Sequence, residues 1–343
     1  MNETNRQSMK ARKRKKRKKR LLIMIPFLFL ITIIAGITVY GAYLTNKAAT
    51  AATDSQKELD RGEKSDKRAK AVDPAEDNIS VLFLGIDDSE TRGFGGATRS
   101  DAMILATFNE KEKSVKMVSI PRDSYVYLPR HGEYDKITHA HAFDGIDGAV
   151  DTVEALFDIP VDYYVRMNFD AFIEVIDALD GVKVDVPFTF REQDSQDRKG
   201  AIKLEKGIQT LDGEEALAFV RMRKLDNDIE RGKRQQQVLK AIIEKAASAK
   251  SITKYGDVID AVGDNLTTNM SFNEMVALHD YATAGSKLTV ETYTLEGEPS
   301  TERGTWTFEV DAESLEKLSD ELKAHLQLEA RANDNKHYAV EQQ

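Results

Sequence analysis

The sequence predicts an α/β fold, a sheet covered by helices, in one domain that follows a single N-terminal transmembrane helix. Three observations carry this. Short apolar runs such as 79–86 and 102–108 have the length and residue types of buried strands. They alternate with stretches such as FDAFIEVIDAL (169–179), whose apolar residues recur at helical spacing. Finally, Leu21–Leu44 is an uncharged run of 24 residues directly behind a block of Lys and Arg.

At about 1.5 Å per residue that run reaches roughly 36 Å, enough to cross a hydrocarbon core of about 30 Å. Pro26 near its start is tolerable in a membrane helix. By the positive-inside rule the basic block holds the start of the chain in the cytoplasm and puts everything after Leu44 outside. The expected organisation is therefore a cytoplasmic basic tail (1–20), a signal-anchor span (21–44), an extracellular stalk (45–77), a folded domain (78–328) and a flexible tail (329–343). The stalk is Ala, Lys, Asp and Glu with few bulky apolar groups, and so has little to pack. The closing residues are polar.

Charge narrows the function. Residues 1–44 hold eleven Lys/Arg and one acid, or +10, so a net charge of −9 leaves −19 on residues 45–343. That acidity argues against a domain that embraces nucleic acid. A regulator touching DNA through its basic head is the rival reading, but a bare basic run lacks a folded reader. With no cysteine in the chain, thiol catalysis, disulfides and Cys-ligated metals are excluded. The six histidines form no HExxH motif, and His139 and His141 read as loop or cap residues rather than zinc ligands. Neither a GxxxxGKS/T phosphate loop nor a GxSxG elbow is present.

The domain opens with strand Ile79–Ile86, which hands over to Asp87 and Asp88 and a GFGGAT loop. Arg99, Ser100 and Asp101 lead into a second strand, Ala102–Phe108, and a third, Val115–Ile120, ends in Pro121-Arg122-Asp123. Ligands collect at strand ends in α/β sheets, so these charges are expected to line one crevice. Helix Gly148–Phe157, strand Tyr163–Met167, helix Phe169–Leu179 and strand Val182–Val186 follow. Asp212, three before Glu215, forms a capping box for a short helix that delivers Arg221 and Arg223. Ser271 and Glu274 repeat that spacing, before strand Leu288–Leu295 and helix Asp311–Leu326.

The stretch Arg221–Ile243 holds the chemistry. Asp226 or Asp228 can cap a helix in which Val238, Leu239, Ile242 and Ile243 recur at helical spacing. Arg234 lies four before Val238, Gln235 four before Leu239, and Arg231 seven before Val238, so the apolar face runs on into guanidinium and carboxamide groups. Cations in the first turns of a helix oppose its dipole, and on a core-facing stripe they lose hydration. Either Asp226, Asp228 and Glu230 neutralise them locally, or several arginines converge on a multiply charged anion. Arg suits bidentate contacts with phosphate, which points to a diphosphate site. Asp87 and Asp101 are carboxylates of the kind Mg2+ uses, or else turn caps. Metal and Arg clamp together supply the charge neutralisation that phosphoryl transfer needs.

The segments LGIDD (84–88), TRSDAMIL (98–105), SIPRDSYV (119–126), DKITHA (135–140) and LDGEEALAFVRMRKLDNDIERGKRQQQ (211–237) resemble the LytR-CpsA-Psr family of cell-wall ligases. The resemblance implies a central mixed sheet sandwiched by helices, with an apolar channel for a prenyl chain. It also implies a Mg2+-dependent phosphotransferase of a Gram-positive-type envelope, anchored in the cytoplasmic membrane. Such an enzyme moves a glycopolymer, for example wall teichoic acid, from undecaprenyl diphosphate to peptidoglycan through a phosphodiester, and it takes no nucleic acid as partner. A non-catalytic polyprenyl-diphosphate binder is the alternative. Carried over position by position, Asp87 and Asp101 match the metal ligands, Asp88 being an alternative to Asp87. Arg99, Arg122, Arg221 and Arg223, with Arg231, Arg234 and Gln235, match the diphosphate-binding groups. Arg122, Arg221 and Arg223 would also serve catalysis, and Asp123 or Asp228 would be the base. Phe172, Val175, Ile176, Val238 and Ile242 are candidate channel residues.

Overall fold

The structure, a computed structural model, describes residues 56–86, 100–222, 228–246, 265–271, 273–275, 277–278 and 288–328. Among them no helix is long and apolar enough to cross a membrane; the expected span 21–44 and basic tail 1–20 lie outside the described residues.

In chain order the elements are β1 (Ile79–Ile86), β2 (Ser100–Asn109), β3 (Ser114–Ser119), β4 (Tyr125–Leu128), β5 (Glu133–Lys136), α1 (Ile137–Phe157), β6 (Tyr163–Met167), α2 (Phe169–Ala178), β7 (Val182–Val186), β8 (Phe190–Glu192), β9 (Ile202–Leu204) and β10 (Gly207–Leu211). Then come α3 (Gly213–Arg221), α4 (Asp228–Ala246), β11 (Leu266–Thr268), β12 (Thr289–Thr294), β13 (Gly297–Ser300), β14 (Thr307–Val310) and α5 (Ala312–His325). The central sheet has six strands in the order β11-β6-β1-β2-β3-β12. It is mixed: β1 runs parallel to β6 and β3 to β12, while β2 is antiparallel to β1 and β3 and β11 is antiparallel to β6.

Alternation along the strands gives the sheet two apolar faces. Leu82, Leu84, Met103, Leu105 and Val118 pack with residues of α1 and α5, including Val150, Val153, Phe157 and Leu322. Val81, Ile104, Ala106, Met117 and Tyr163 form the opposite face, with Leu239 and Ile243 of α4 against it. A third cluster joins β7 to α3 and α4 through Val182, Val184, Val186, Phe219 and Val238.

Local signals placed several boundaries. The Asp212–Glu215 capping box is present in full, with the Glu215 amide donating to Asp212 at 2.9 Å and the Asp212 amide to Glu215 at 3.2 Å. Ser271 and Glu274 make the same reciprocal pair. Asp311 accepts from the Ser314 amide at 2.7 Å and caps α5.

Three expectations change. The helix expected over 148–157 begins at Ile137 and is broken at Gly145 (φ 64°), whose departure from helical backbone interrupts the apolar period. His139 and His141 therefore sit on a helix, where the His139 ring meets Asp135 at 2.7 Å and His141 is buried. Residues 56–77, expected as part of a stalk, lie against the domain. Leu59 enters the core, and Arg68 grips Asp162 through Nε at 2.9 Å and Nη2 at 2.6 Å. Arg61 pairs with Glu154 at 2.8 Å. Two apolar anchors, Leu59 and Val72, and paired charges hold a segment whose composition offers little apolar surface.

Candidate active site at the strand ends

The strand directions bring one set of chain ends to a common edge. Gly85 at the end of β1 faces Ala102 near the start of antiparallel β2, and parallel β6 ends beside it at Met167. Beyond β3, Pro121 leads to Arg122. Small residues matter here. A Cβ on Gly85 would come within 3.1 Å of the Ala102 methyl, and one on Gly232 within 2.4 Å of Ser119 Oγ. The second glycine lets α4 press its first turns onto the end of β3.

Between this edge, α2, α3 and α4 lies a cavity of about 460 Å³. Its interior is apolar, walled by Phe83, Ile104, Phe172, Val175, Leu239 and Ile242 among others. Its polar lining comes from Asp101, Arg122, Arg221, Arg231 and Gln235, with Asn168, Glu192 and Gln193. Arg122 donates through Nη1 to Asp101 at 2.6 Å and through Nε to Asp123 at 3.4 Å, and Lys136 reaches the other Asp123 oxygen at 2.9 Å. Arg221 leaves the C-terminal turn of α3, pairs with Asp197 at 3.0 Å, donates to the Asp194 carbonyl at 3.3 Å and lies over the Phe169 ring at 4.8 Å. Burial pushes the Asp194 carboxyl up, but hydrogen bonds from the Arg198 backbone and guanidinium outweigh this and hold it below the ordinary carboxylate value. The loop that orients Arg221 is thereby itself pinned.

The helix that carried the sequence argument splits its arginines. Arg231, Gln235, Leu239 and Ile242 fall on one stripe of α4 and line the cavity. Arg234 and Val238 lie on the neighbouring stripe, both buried. Arg234, expected at the diphosphate, instead donates to the Phe219 carbonyl at 3.0 Å and the Met222 carbonyl at 2.5 Å, satisfying carbonyls at the end of α3. Val238 and Ile176, candidates for the channel, are core residues of the β7–α3–α4 cluster, whereas Phe172, Val175 and Ile242 do line the cavity. Asp87, Asp88, Arg99 and Arg223 lie outside the described residues, as does the Asp228 side chain. Among the described residues no cluster of three or more His, Asp or Glu could hold a metal. The Glu192–Gln193 and Asp194–Asp197 contributions went unseen in the sequence, because β8 and β9 are short and carry no periodicity to announce them.

Guanidinium groups above an apolar hollow define a class of site, one whose chemistry suits a molecule with an anionic head and an apolar tail. The LytR_cpsA_psr family model matches residues 42–324, and the chain belongs to that family. It is 45% identical over 328 residues, 95% of this chain and 99% of the relative, to polyisoprenyl-teichoic acid–peptidoglycan teichoic acid transferase TagT of Bacillus subtilis (strain 168). The structure of TagT bound to LIIa-WTA is 46% identical, with a TM-score of 0.68 over 79% of this chain and 100% of that one. The family protein YwtF (TagT) with bound octaprenyl pyrophosphate lipid is 43% identical, with a TM-score of 0.63 and the same coverage.

Proposed function

We propose that this protein is a membrane-anchored phosphotransferase that moves an anionic glycopolymer such as wall teichoic acid from undecaprenyl diphosphate to peptidoglycan, in a Gram-positive-type envelope. The observation that carries the reading is the amphipathic cavity: three guanidinium groups, the carboxamides of Asn168, Gln193 and Gln235 and the carboxylates of Asp101 and Glu192 over an apolar interior of prenyl-chain chemistry. The names of the relatives support the donor and acceptor.

In this reading Arg122, Arg221 and Arg231 hold the non-bridging oxygens of the diphosphate, with Gln235 donating from its amide and Arg99 and Arg223 completing the clamp. An acceptor hydroxyl attacks the phosphorus that bears the glycopolymer. The bond from that phosphorus to the bridging oxygen breaks, undecaprenyl phosphate leaves, and a phosphodiester to peptidoglycan remains. The hydroxyl proton passes to a base, for which Asp123 and Asp228 are the candidates. Asp123 stands behind Arg122, bound to it and to Lys136, so it also orients the arginine. Mg2+ fits the donor set: it uses one or two carboxylates, Asp101 offers one on the cavity wall, and Asp87 would offer the second. When bound, the ion supplies further neutralisation of diphosphate charge.

The test is turnover by the purified full chain, given a polyprenyl-diphosphate-linked glycopolymer, Mg2+ and peptidoglycan. Released polyprenyl phosphate together with polymer covalently on the wall is expected. Tight donor binding with neither product would leave a polyprenyl-diphosphate binding protein instead. Asp101→Asn should raise the Mg2+ concentration needed for half-maximal rate, and an unaltered metal response would remove Asp101 from the ligand set.

A further inference from the structure

Four of the five most exposed large apolar side chains among the described residues gather near one hairpin: Tyr134 (59% exposed), Phe143 (48%), Trp306 (42%) and Tyr127 (41%). Exposed clusters of this kind mark interaction surfaces. The hairpin is β4–β5, and its register pairs Tyr127 with Tyr134 and Tyr125 with Lys136. Directly opposed residues share a face, so Tyr125, Tyr127, Tyr134 and Lys136 all stand on the outward side, while Val126 and Leu128 point into the core. The rings form a row, with Tyr127 and Tyr134 centroids 5.3 Å apart and Tyr134 and Tyr125 5.9 Å apart. Arg303, from the turn that also carries Trp306, lies 3.9 Å over Tyr125, and Phe143 stacks on His131 at the hairpin tip.

This row is physically continuous with the cavity. Lys136, on the same face, bonds Asp123 at 2.9 Å; Asp123 meets Arg122, and Arg122 meets Asp101, the last two lining the cavity. We propose that the outward face of the β4–β5 hairpin, with the 301–306 turn beside it, is the surface along which the acceptor glycan lies as its hydroxyl reaches the cavity mouth. The inference rests on the transferase reading and adds to it the place and chemistry of acceptor recognition.

Sugar rings fit this surface. A pyranose presents C–H groups from its face and hydroxyls from its edge, and tyrosine offers a matching apolar ring with a polar tip, rigid enough to bind at small entropic cost. An anionic bilayer fits poorly. The 297–310 hairpin beside the row carries Glu298, Glu302 and Glu309 against Arg303 alone, and anionic head groups would be repelled.

The test compares the full chain in detergent with its Tyr134→Ala, Trp306→Ala and Tyr127→Ala variants, residues outside the diphosphate machinery. Three probes are titrated: peptide-free glycan strands from peptidoglycan, octaprenyl diphosphate, and phosphatidylglycerol vesicles. Each substitution is expected to weaken glycan binding about three- to tenfold. It should raise the acceptor KM in step, and leave octaprenyl diphosphate affinity and the thermal midpoint unchanged. Equal glycan affinity in variants and parent, or none in the parent, overturns the proposal. So does loss of vesicle binding with glycan binding intact, which would make the face a membrane contact. If octaprenyl diphosphate fails to bind while glycan binding still depends on the tyrosines, the donor reading falls and the glycan surface stands.

Discussion

The parallel strands β1 and β6 carry paired charges at both ends, and the two ends behave differently. At their starts Asp162 accepts two bonds from Arg68 and two more from the Ser80 amide and hydroxyl, and both side chains of the ion pair are nearly buried. At their finishes Arg122 and Asp101 also pair, but each side chain remains about a third exposed (30% and 34%) and stands over a cavity. Ion pairs of similar length are thus a rivet at one end and the rim of a cavity at the other. What separates them is whether the guanidinium faces packed protein or open volume.

That contrast can be broken by substitution. Arg68→Ala leaves the Asp162 carboxylate buried without its cation and should cost about 3–5 kcal/mol in chemical denaturation. The rate per folded molecule should persist, and a loss below about 1 kcal/mol would show that the rivet is not one. Arg122→Ala and Arg221→Ala should show the reverse. Removing a donor to transition-state charge costs about 10²–10³ in kcat, roughly 2.7–4 kcal/mol. The thermal midpoint should move less than about 3 °C; a large drop would make these arginines structural. Arg234→Ala sharpens the comparison within one helix. Losing charged hydrogen bonds to the α3 carbonyls should cost about 1.5–3 kcal/mol of stability. Octaprenyl diphosphate affinity should hold, and a stable variant with lost affinity would return Arg234 to the clamp.

The smallest effect is a pH dependence away from the site. The buried His325 ring lies between Thr107 Oγ1 at 2.7 Å and Ser114 Oγ at 2.8 Å. Burial first, then the Lys116 charge, holds its pKa below the ordinary 6.5. The folded state therefore prefers the neutral ring. Its contribution is complete above pH 6.5 and declines as pH falls from there through the folded value, because the unfolded chain takes the proton first. Melting between pH 7.5 and 5 should show this decline, and His325→Gln should flatten it; an identical slope in the variant would assign the acid sensitivity elsewhere.

Most long elements were legible before the fold was seen. Ile79–Ile86, Tyr163–Met167 and Val182–Val186 have the expected bounds, since buried strands of that length write themselves as apolar runs. The capping boxes were equally plain, their partners being three residues apart. The short hairpins β4–β5, β8–β9 and β13–β14 were not, for they hold themselves by pairing rather than by periodicity. With them went the aromatic row and the loop that seats Arg221.

Residue order alone was enough to put Arg231, Arg234 and Gln235 on a helix and to assign the chain to its family. It could not say that Arg231 and Gln235 look into a cavity while Arg234 ties off α3. Neighbouring stripes of a helix differ by a fraction of a turn, and which one meets open space depends on where another helix, distant in the chain, comes to rest. Local patterns are encoded within a few residues, but a cavity exists only between elements, so its lining is settled by packing.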